Sequence, residues 1–196
     1  MMELYLVRHG ETLSNCQGVY CGWLDVELTD MGIYQAEESA KRLREVPLDL
    51  ILTSGLNRTR KTAEIINKYH HVEIHCEDRF REMNFGRWEG LSYEEIRNQF
   101  PNELKSWEKE WLDYPVPEGE SLRQMYGRVK EAIDQLCIDY PQGKILLVSH
   151  GGCIRGILSH LIGSGIEDYW KYKIENCGIT KIEIVEGYPV LTMLNR

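Results

Sequence analysis

The apolar positions of this chain fall into runs that stop abruptly in small, charged turns. Residues 4–7, Leu-Tyr-Leu-Val, form a β-prone run that ends in Arg8-His9-Gly10-Glu11-Thr12. A second run, residues 49–53, ends in Ser54-Gly55. A third, residues 144–149, is nearly continuous in apolar side chains and ends in His150-Gly151-Gly152. Runs of this kind are strands buried on both faces, as in a parallel sheet. Residues 72–75 predict one more short strand.

Between these runs the period becomes helical. Thr29-Asp30 opens a helix with Ile33, Ala36, Ala40 and Leu43 on one stripe, closed by Pro47. A basic helix begins near Leu56. Ser92 and Glu95 have the spacing of a capping box before a short helix, and residues 101–112 predict another, with Trp107 and Trp111 on one face. Ser121, with Gln124 three residues on, starts a long helix to about residue 140, whose stripe is Leu122, Met125, Val129, Ala132, Ile133 and Leu136. A last helix covers residues 153–162. Residues 179–185 and 189–194 alternate as a hairpin around Glu186-Gly187. Residues 13–28 show no helical period and read as a long loop, and 113–120 as a Pro/Gly loop. Strand and helix alternation predicts an α/β fold with a doubly wound, mainly parallel sheet and helices on both faces. With no repeat and no linker, one domain over residues 1–196 is expected, in which residues 80–120 form an insertion able to lid a site.

Composition narrows the function. The chain has 196 residues, 42% hydrophobic and 28% charged, with a formal net charge of −8. That balance fits a soluble globular domain and argues against a general nucleic-acid binder, while leaving room for a local cationic pocket. No apolar run approaches membrane-spanning length, and Met1-Met2-Glu3 carries no signal-peptide pattern, so a cytoplasmic enzyme is expected. Six cysteines lack paired spacing and read as free thiols rather than disulfides or a zinc site.

In a parallel sheet the strand ends lie on one edge, where ligands bind. Taken alone, Arg8-His9 reads also as a solvated arginine beside a capping histidine. The other strand ends and loops add Arg58, Glu82 and His150, and the set becomes an inventory for phosphoryl transfer. Arginines suit phosphoryl oxygens through bidentate, charge-assisted bonds. One neutral imidazole can attack phosphorus and the other can donate to a phosphoryl oxygen. A carboxyl group can protonate the leaving alkoxide and then activate water. No metal and no cofactor is called for. Arg60 and Lys61 read as a solvated helix face, Glu89 as a structural hydrogen bonder, and Glu11 as an orienter of its loop. His70, His71, His75 and His160 stand outside any motif. Trp107, Trp111 and Tyr114 read either as a substrate lid or as helix packing.

The motifs resemble those of the histidine phosphatase superfamily. They are Leu6 to Thr12 with Asn15; Gly22-Trp23-Leu24-Asp25 with Leu28-Thr29 and Gly32; Thr53-Ser54 through Arg58 to Thr62-Ala63; Glu82 with Phe85-Gly86 and Trp88-Glu89-Gly90; and Val148 to Gly152. They span the chain in the family's order. The resemblance implies a three-layer, phosphoglycerate mutase-like fold in which His9 forms a phosphohistidine. It assigns the phosphoryl group to Arg8, Arg58 and His150 with help from Asn15, places Gly22 and Gly151 among the substrate-binding positions, and makes Glu82 the proton donor. Arg87, Arg97, Lys105, Lys109 and Arg123 are interspersed with carboxylates and form no paired-arginine patch, which favours a phosphatase over a mutase. Residues 107–111 and 117–121 resemble the α-ribazole phosphatases, which release α-ribazole from its 5′-phosphate in cobalamin assembly. A broad-specificity phosphatase and a phosphoglycerate mutase are the alternatives. A non-catalytic phospho-ligand module would be expected to have lost the nucleophile or the acid, and both are present. The expected partner is a small phosphate monoester, not nucleic acid or membrane, with a homodimer left open.

Overall fold

The computed structural model describes residues 1–196. Six strands, β1 (Met2–Arg8), β2 (Leu50–Thr53), β3 (Ile74–Cys76), β4 (Lys144–Ser149), β5 (Ile179–Val185) and β6 (Tyr188–Met193), form one sheet in the order β3-β2-β4-β1-β5-β6. The first four are mutually parallel, β5 runs antiparallel to β1, and β6 returns beside it as the expected hairpin. The sheet is α/β and mainly parallel, as the alternation predicted.

Strand pleat divides the core in two. Leu4, Leu6, Leu50, Leu52, Ile145 and Leu147 face the layer that contains α6 (Leu122–Asp139) and α7 (Gly151–Leu161). Tyr5, Val7, Ile51, Leu146 and Val148 face the opposite layer, built from α2 (Asp30–Leu43) and α3 (Asn57–Asn67). Neighbouring residues on one strand therefore bury to opposite sides, which is why these strands read as continuous apolar runs. All six stripe positions expected for α6 are buried, and its start is the expected capping box of Ser121 and Gln124. No helix is long and apolar enough to cross a membrane.

Four expectations need correction. Residues 13–28 are not loop throughout: Leu13–Gln17 is a helix, α1, opened by a capping box between Thr12 and Asn15. Five residues are too few to display a period, and the box uses Asn where the usual signature has Glu or Gln. The strand expected at 72–75 lies at Ile74–Cys76. Val72 is withdrawn from the ladder because the Asn67 side chain bonds both its N–H and its carbonyl, and His71 sits at φ 56°. Ile33 is exposed, and Gly32 is buried in its place, against the Glu11 backbone. The helix expected over 101–112 stops at Lys109, so α5 (Pro101–Lys109) leaves Trp111 in the following turn. Before it, α4 (Tyr93–Gln99) carries the expected capping box of Ser92 and Glu95. The six cysteines are free.

Candidate active site

Sheet register builds the site. Arg8 pairs with Ser149 and Thr53 with Val148, so β1, β4 and β2 end side by side. The residues just past those ends are His9, His150 and Ser54. The His9 amide donates to the Ser149 carbonyl at 2.9 Å, which ties the first two together. The chain order skips between β1 and β2 to admit β4, and the crevice at such a switch of direction is where open α/β sheets bind ligands.

His9 and His150 are buried, with ring centroids 5.2 Å apart at an interplanar angle of 64°. His9 Nδ1 lies 2.8 Å from the Gly10 carbonyl, which can only accept, so Nδ1 carries the proton and Nε2 keeps its lone pair. Burial, then Arg58 and Arg8, pushes the His9 pKa well below the ordinary imidazole value. His9 is therefore neutral at pH 7, the state a nucleophile requires. His150 is lowered in the same way by burial, Arg58, His9, Arg8 and Arg128. Its Nε2 lies 2.7 Å from Ser54 Oγ, and its Nδ1 is buried with no partner.

Arg58 is only 1% exposed and donates to the Leu24 carbonyl at 2.8 Å and the Gly22 carbonyl at 2.5 Å. Arg8 donates through Nη1 to the Ile174 carbonyl at 2.8 Å, and its Nε is buried without a partner. Gly151 lies over that guanidinium: a Cβ there would stand 3.5 Å from Arg8 Nε. Gly22 has its N–H on Glu89 and its carbonyl on Arg58, so both backbone groups already have protein partners. Asn15 reaches the same cleft but uses Oδ1 to accept from the Thr12 amide and from Asn176 Nδ2.

Glu82 holds its carboxylate between two amides, Met83 N at 2.9 Å and Gly152 N at 2.7 Å. Its peptide carbonyl is gripped by Arg128, which also donates to the carbonyls of Arg79 and Arg81 and is neutralised by Glu120. Glu89 takes a different part. It accepts from the amides of Gly22, Trp23, Leu24 and Phe85, which fixes the loop whose carbonyls orient Arg58. The structural reading of Glu89 is the one its surroundings support. Arg60 and Lys61 are exposed. Glu11 accepts from Thr29 Oγ1. His160 pairs with Asp134 at 2.6 Å, and His75 lies exposed on β3.

A cleft of about 390 Å³ beside these groups is lined by Arg8, Asn15, Glu82, Gly152, Arg155 and Tyr169, among others; His9, Arg58 and His150 do not line it. Tyr20, Phe85, Tyr169 and Trp170 are shared with an adjoining apolar compartment of about 80 Å³, completed by Met83, Trp107, Trp111 and Leu122. Trp107 and Trp111 thus both pack and line: Trp107 lies edge-on to Trp88, and Trp111 lies 6.2 Å from Trp170. Tyr114 lines neither space.

Sequence reading missed four residues here. Ser54 was legible as part of a turn and of the Thr53-Ser54 motif, with no role of its own. Asn176 donates to the His9 carbonyl at 2.9 Å from a segment with no motif. Arg155 comes to the cleft one turn into α7, and its Nε donates to the Tyr172 carbonyl at 2.9 Å. Tyr169 is buried beside Gly152 in a 3-10 turn. For Arg155 a signal existed, since it falls three residues after Gly152 on the same helix face.

Known proteins resemble the chain over its whole length. The adenosylcobalamin/alpha-ribazole phosphatase of Salmonella typhimurium is 31% identical over 194 residues, covering 99% of this chain and 96% of its own. Phosphoserine phosphatase 1 of Hydrogenobacter thermophilus is 32% identical over 195 residues, covering 100% and 92%. The crystal structure of the alpha-ribazole phosphatase from Shigella flexneri superimposes with a TM-score of 0.95 at 30% identity, covering 100% of this chain and 96% of that one. The model of the histidine phosphatase superfamily (branch 1) matches residues 4–196. With paired histidines on adjacent strand ends and a match that runs from β1 to the last residue, the chain belongs to the histidine phosphatase superfamily.

Proposed function

We propose that the protein is a metal-independent phosphomonoesterase that works through a phosphohistidine at His9. The observation that carries the reading is the His9 ring: Nδ1 is fixed on a carbonyl, Nε2 is left with its lone pair, and the charges of buried Arg58 and half-buried Arg8 bear on the ring. In this reading Arg8, Arg58 and His150 hold the phosphoryl oxygens, with Asn15 at the edge and Gly151 and Gly22 shaping the floor. Nε2 attacks phosphorus in line. Glu82 protonates the leaving oxygen and then draws a proton from the water that hydrolyses the intermediate. General acid-base assistance of this kind contributes about 10²–10⁴-fold.

For the alcohol, the aromatic compartment beyond Glu82 favours a flat ring, and α-ribazole 5′-phosphate is the substrate assigned on that basis. Residues 80–120 supply part of that wall and act as its lid within a single domain. Arg155 favours a second reading. Its guanidinium forms no salt bridge to a carboxylate and lies 5.0 Å from the Trp170 ring centre. A small ester with a carboxylate, such as phosphoserine, would meet that cation. In either case the enzyme acts in the cytoplasm on a diffusible ester, and sizing in solution decides whether it does so as a homodimer.

Two measurements test the reading. Wild-type protein is expected to hydrolyse p-nitrophenyl phosphate in chelator and to yield an acid-labile phosphoprotein on quenching. His9→Ala is expected to lose both, and labelling retained in that variant refutes the nucleophile. A comparison of kcat/KM for α-ribazole 5′-phosphate, phosphoserine, 3-phosphoglycerate and sugar phosphates then assigns the alcohol. A preference for the acidic esters overturns the α-ribazole assignment.

A further inference from the structure

His150 belongs to a buried hydrogen-bonded row that runs away from the cleft. Its Nε2 lies 2.7 Å from Ser54 Oγ, and Ser54 Oγ lies 3.0 Å from Thr59 Oγ1. Thr59 Oγ1 donates to the Leu56 carbonyl at 2.8 Å. Ser54 and Thr59 are both fully buried, so no water shares these contacts. Proton counting along the row leaves one arrangement. The Leu56 carbonyl has no proton to give, so the Thr59 hydroxyl donates to it. Thr59 then meets Ser54 as an acceptor, and the Ser54 proton points to Thr59. Ser54 in turn meets His150 as an acceptor, so Nε2 carries the ring proton. The opposite setting, Ser54 donating to Nε2, leaves two buried hydroxyl oxygens facing each other as acceptors at 3.0 Å. An unsatisfied buried contact of that kind costs about 1–3 kcal/mol.

We propose that Ser54 and Thr59 are positioning residues that hold His150 as its Nε2–H tautomer, so that Nδ1 receives the proton of a monoanionic phosphate ester. The proposal rests on the phosphatase reading above. Nδ1 is the nitrogen left buried without a partner. In the step, the O–H bond of the ester's phosphoryl group breaks and its electron pair stays on oxygen. An N–H bond forms at Nδ1. The ester becomes a dianion beside an imidazolium that donates on one side to the phosphoryl group and on the other to Ser54. The charged groups around His150 explain why the proton has to arrive with the ester. Burial most of all disfavours a charged ring, and Arg58 on α3, His9 and Arg8 at the end of β1, and Arg128 on α6 add to it. Glu82, the carboxylate of the cleft, is engaged by the Gly152 amide two residues beyond His150. A dianionic phosphoryl group reverses that balance.

The direct test is the tautomer itself, read by long-range ¹H–¹⁵N correlation of the histidine rings in the free wild-type protein. His150 is expected to show a protonated Nε2 and a bare Nδ1; the reverse pattern overturns the proposal. The kinetic test is pH. The second ionisation of a phosphate ester lies near about 6, so kcat/KM is expected to fall about tenfold per unit above it. Ser54→Ala frees the ring to turn its proton to Nδ1. It is expected to lower kcat/KM roughly tenfold near pH 6, the worth of one buried hydrogen bond, and to flatten the fall above it. Ser54→Thr is expected to keep the wild-type profile. A folded Ser54→Ala protein with an unchanged profile sinks the proposal. If that variant does not fold, the wild-type tautomer decides alone. Absence of a phosphoprotein would remove the phosphatase reading while leaving the tautomer measurable, so the two failures are separable.

Discussion

Gly152 gives the sharpest test of the acid. It occupies the first turn of α7 with an ordinary backbone, so alanine is conformationally allowed there. The space is not. A Cβ at this position would lie 2.2 Å from Glu82 Oε1 and 2.5 Å from Tyr169 Oη. Ordinary contact begins near 3.4 Å. Glu82 must therefore retreat by about 1 Å, and a displacement of that size at a reacting group costs about 10²-fold. The retreat also breaks the 2.7 Å bond from the Gly152 amide that aims the carboxylate. The loss falls on leaving-group protonation, so it depends on the ester. Gly152→Ala is expected to lower kcat on an alkyl phosphate about 100-fold. On p-nitrophenyl phosphate, whose phenolate leaves with little help, the loss should stay under about tenfold. Glu82→Gln should show the same asymmetry. The assay is steady-state kinetics on the two esters, with circular dichroism to confirm the fold. An equal loss on both esters, or none on the alkyl ester, refutes the assignment of Glu82 as the acid and of Gly152 as the space that admits it.

Two further outcomes follow from the carboxylates. Glu89→Gln replaces a full acceptor with a half donor among four converging amides, and about 1–3 kcal/mol of stability should be lost in urea unfolding. Its KM should rise more than its kcat falls, because the loop it holds orients Arg58; unchanged stability refutes that account. Glu3 is held down to a pKa of about 2 by Lys181, Tyr5 and Lys144 against its own burial. A depressed carboxylate stabilises the fold above its unfolded pKa, and the benefit disappears as pH falls through the folded one. Glu3→Gln should therefore cost up to about 3 kcal/mol at pH 7, from roughly 1.4 kcal/mol per unit of depression. The gap from wild type should close between pH 4.5 and about 2, and a gap that persists at the acid end refutes it.

The strands that carry His9 and His150 were legible because they are buried on both faces, which leaves no polar interruption until the strand ends. The long stripe of α6 was legible for the matching reason at the helical period. Elements fixed by side-chain-to-backbone bonds were legible where the bond has a usual signature, as in the capping boxes of α4 and α6, and not where it lacks one. Asn15 capping α1 and Asn67 bracketing Val72 act over three to five residues, too few for a pattern. The same limit applies within the site. Arg8, Arg58, Glu82 and His150 announce themselves by charge at strand ends and in the loops that follow. Ser54 and Asn176 contribute a hydroxyl and an amide, residues that are ordinary in any turn. Only the register that sets β2 beside β4 brings Ser54 to His150.

The partners chosen for the site's cations have a consequence for binding. Arg8 is held by the Ile174 carbonyl and Arg58 by the carbonyls of Leu24 and Gly22. Arg128, a helix away, has a carboxylate, Glu120. A carbonyl fixes a guanidinium through its dipole and leaves the full charge in place, whereas a carboxylate cancels it. Taking an uncompensated cation out of water costs several kcal/mol, on the order of what breaking a buried pair costs. The fold carries that cost at Arg8 and Arg58, and with it the unpartnered Arg8 Nε and His150 Nδ1. In the proposed reading, a phosphoryl group with several oxygens would relieve all of these at once. Loop closure by Glu89, a register that aligns three strand ends, and helix α7 starting on two glycines are the means by which the chain holds this arrangement before any ester arrives. Positioned and charged in advance, such a site need not reorganise when negative charge develops on the transferring group.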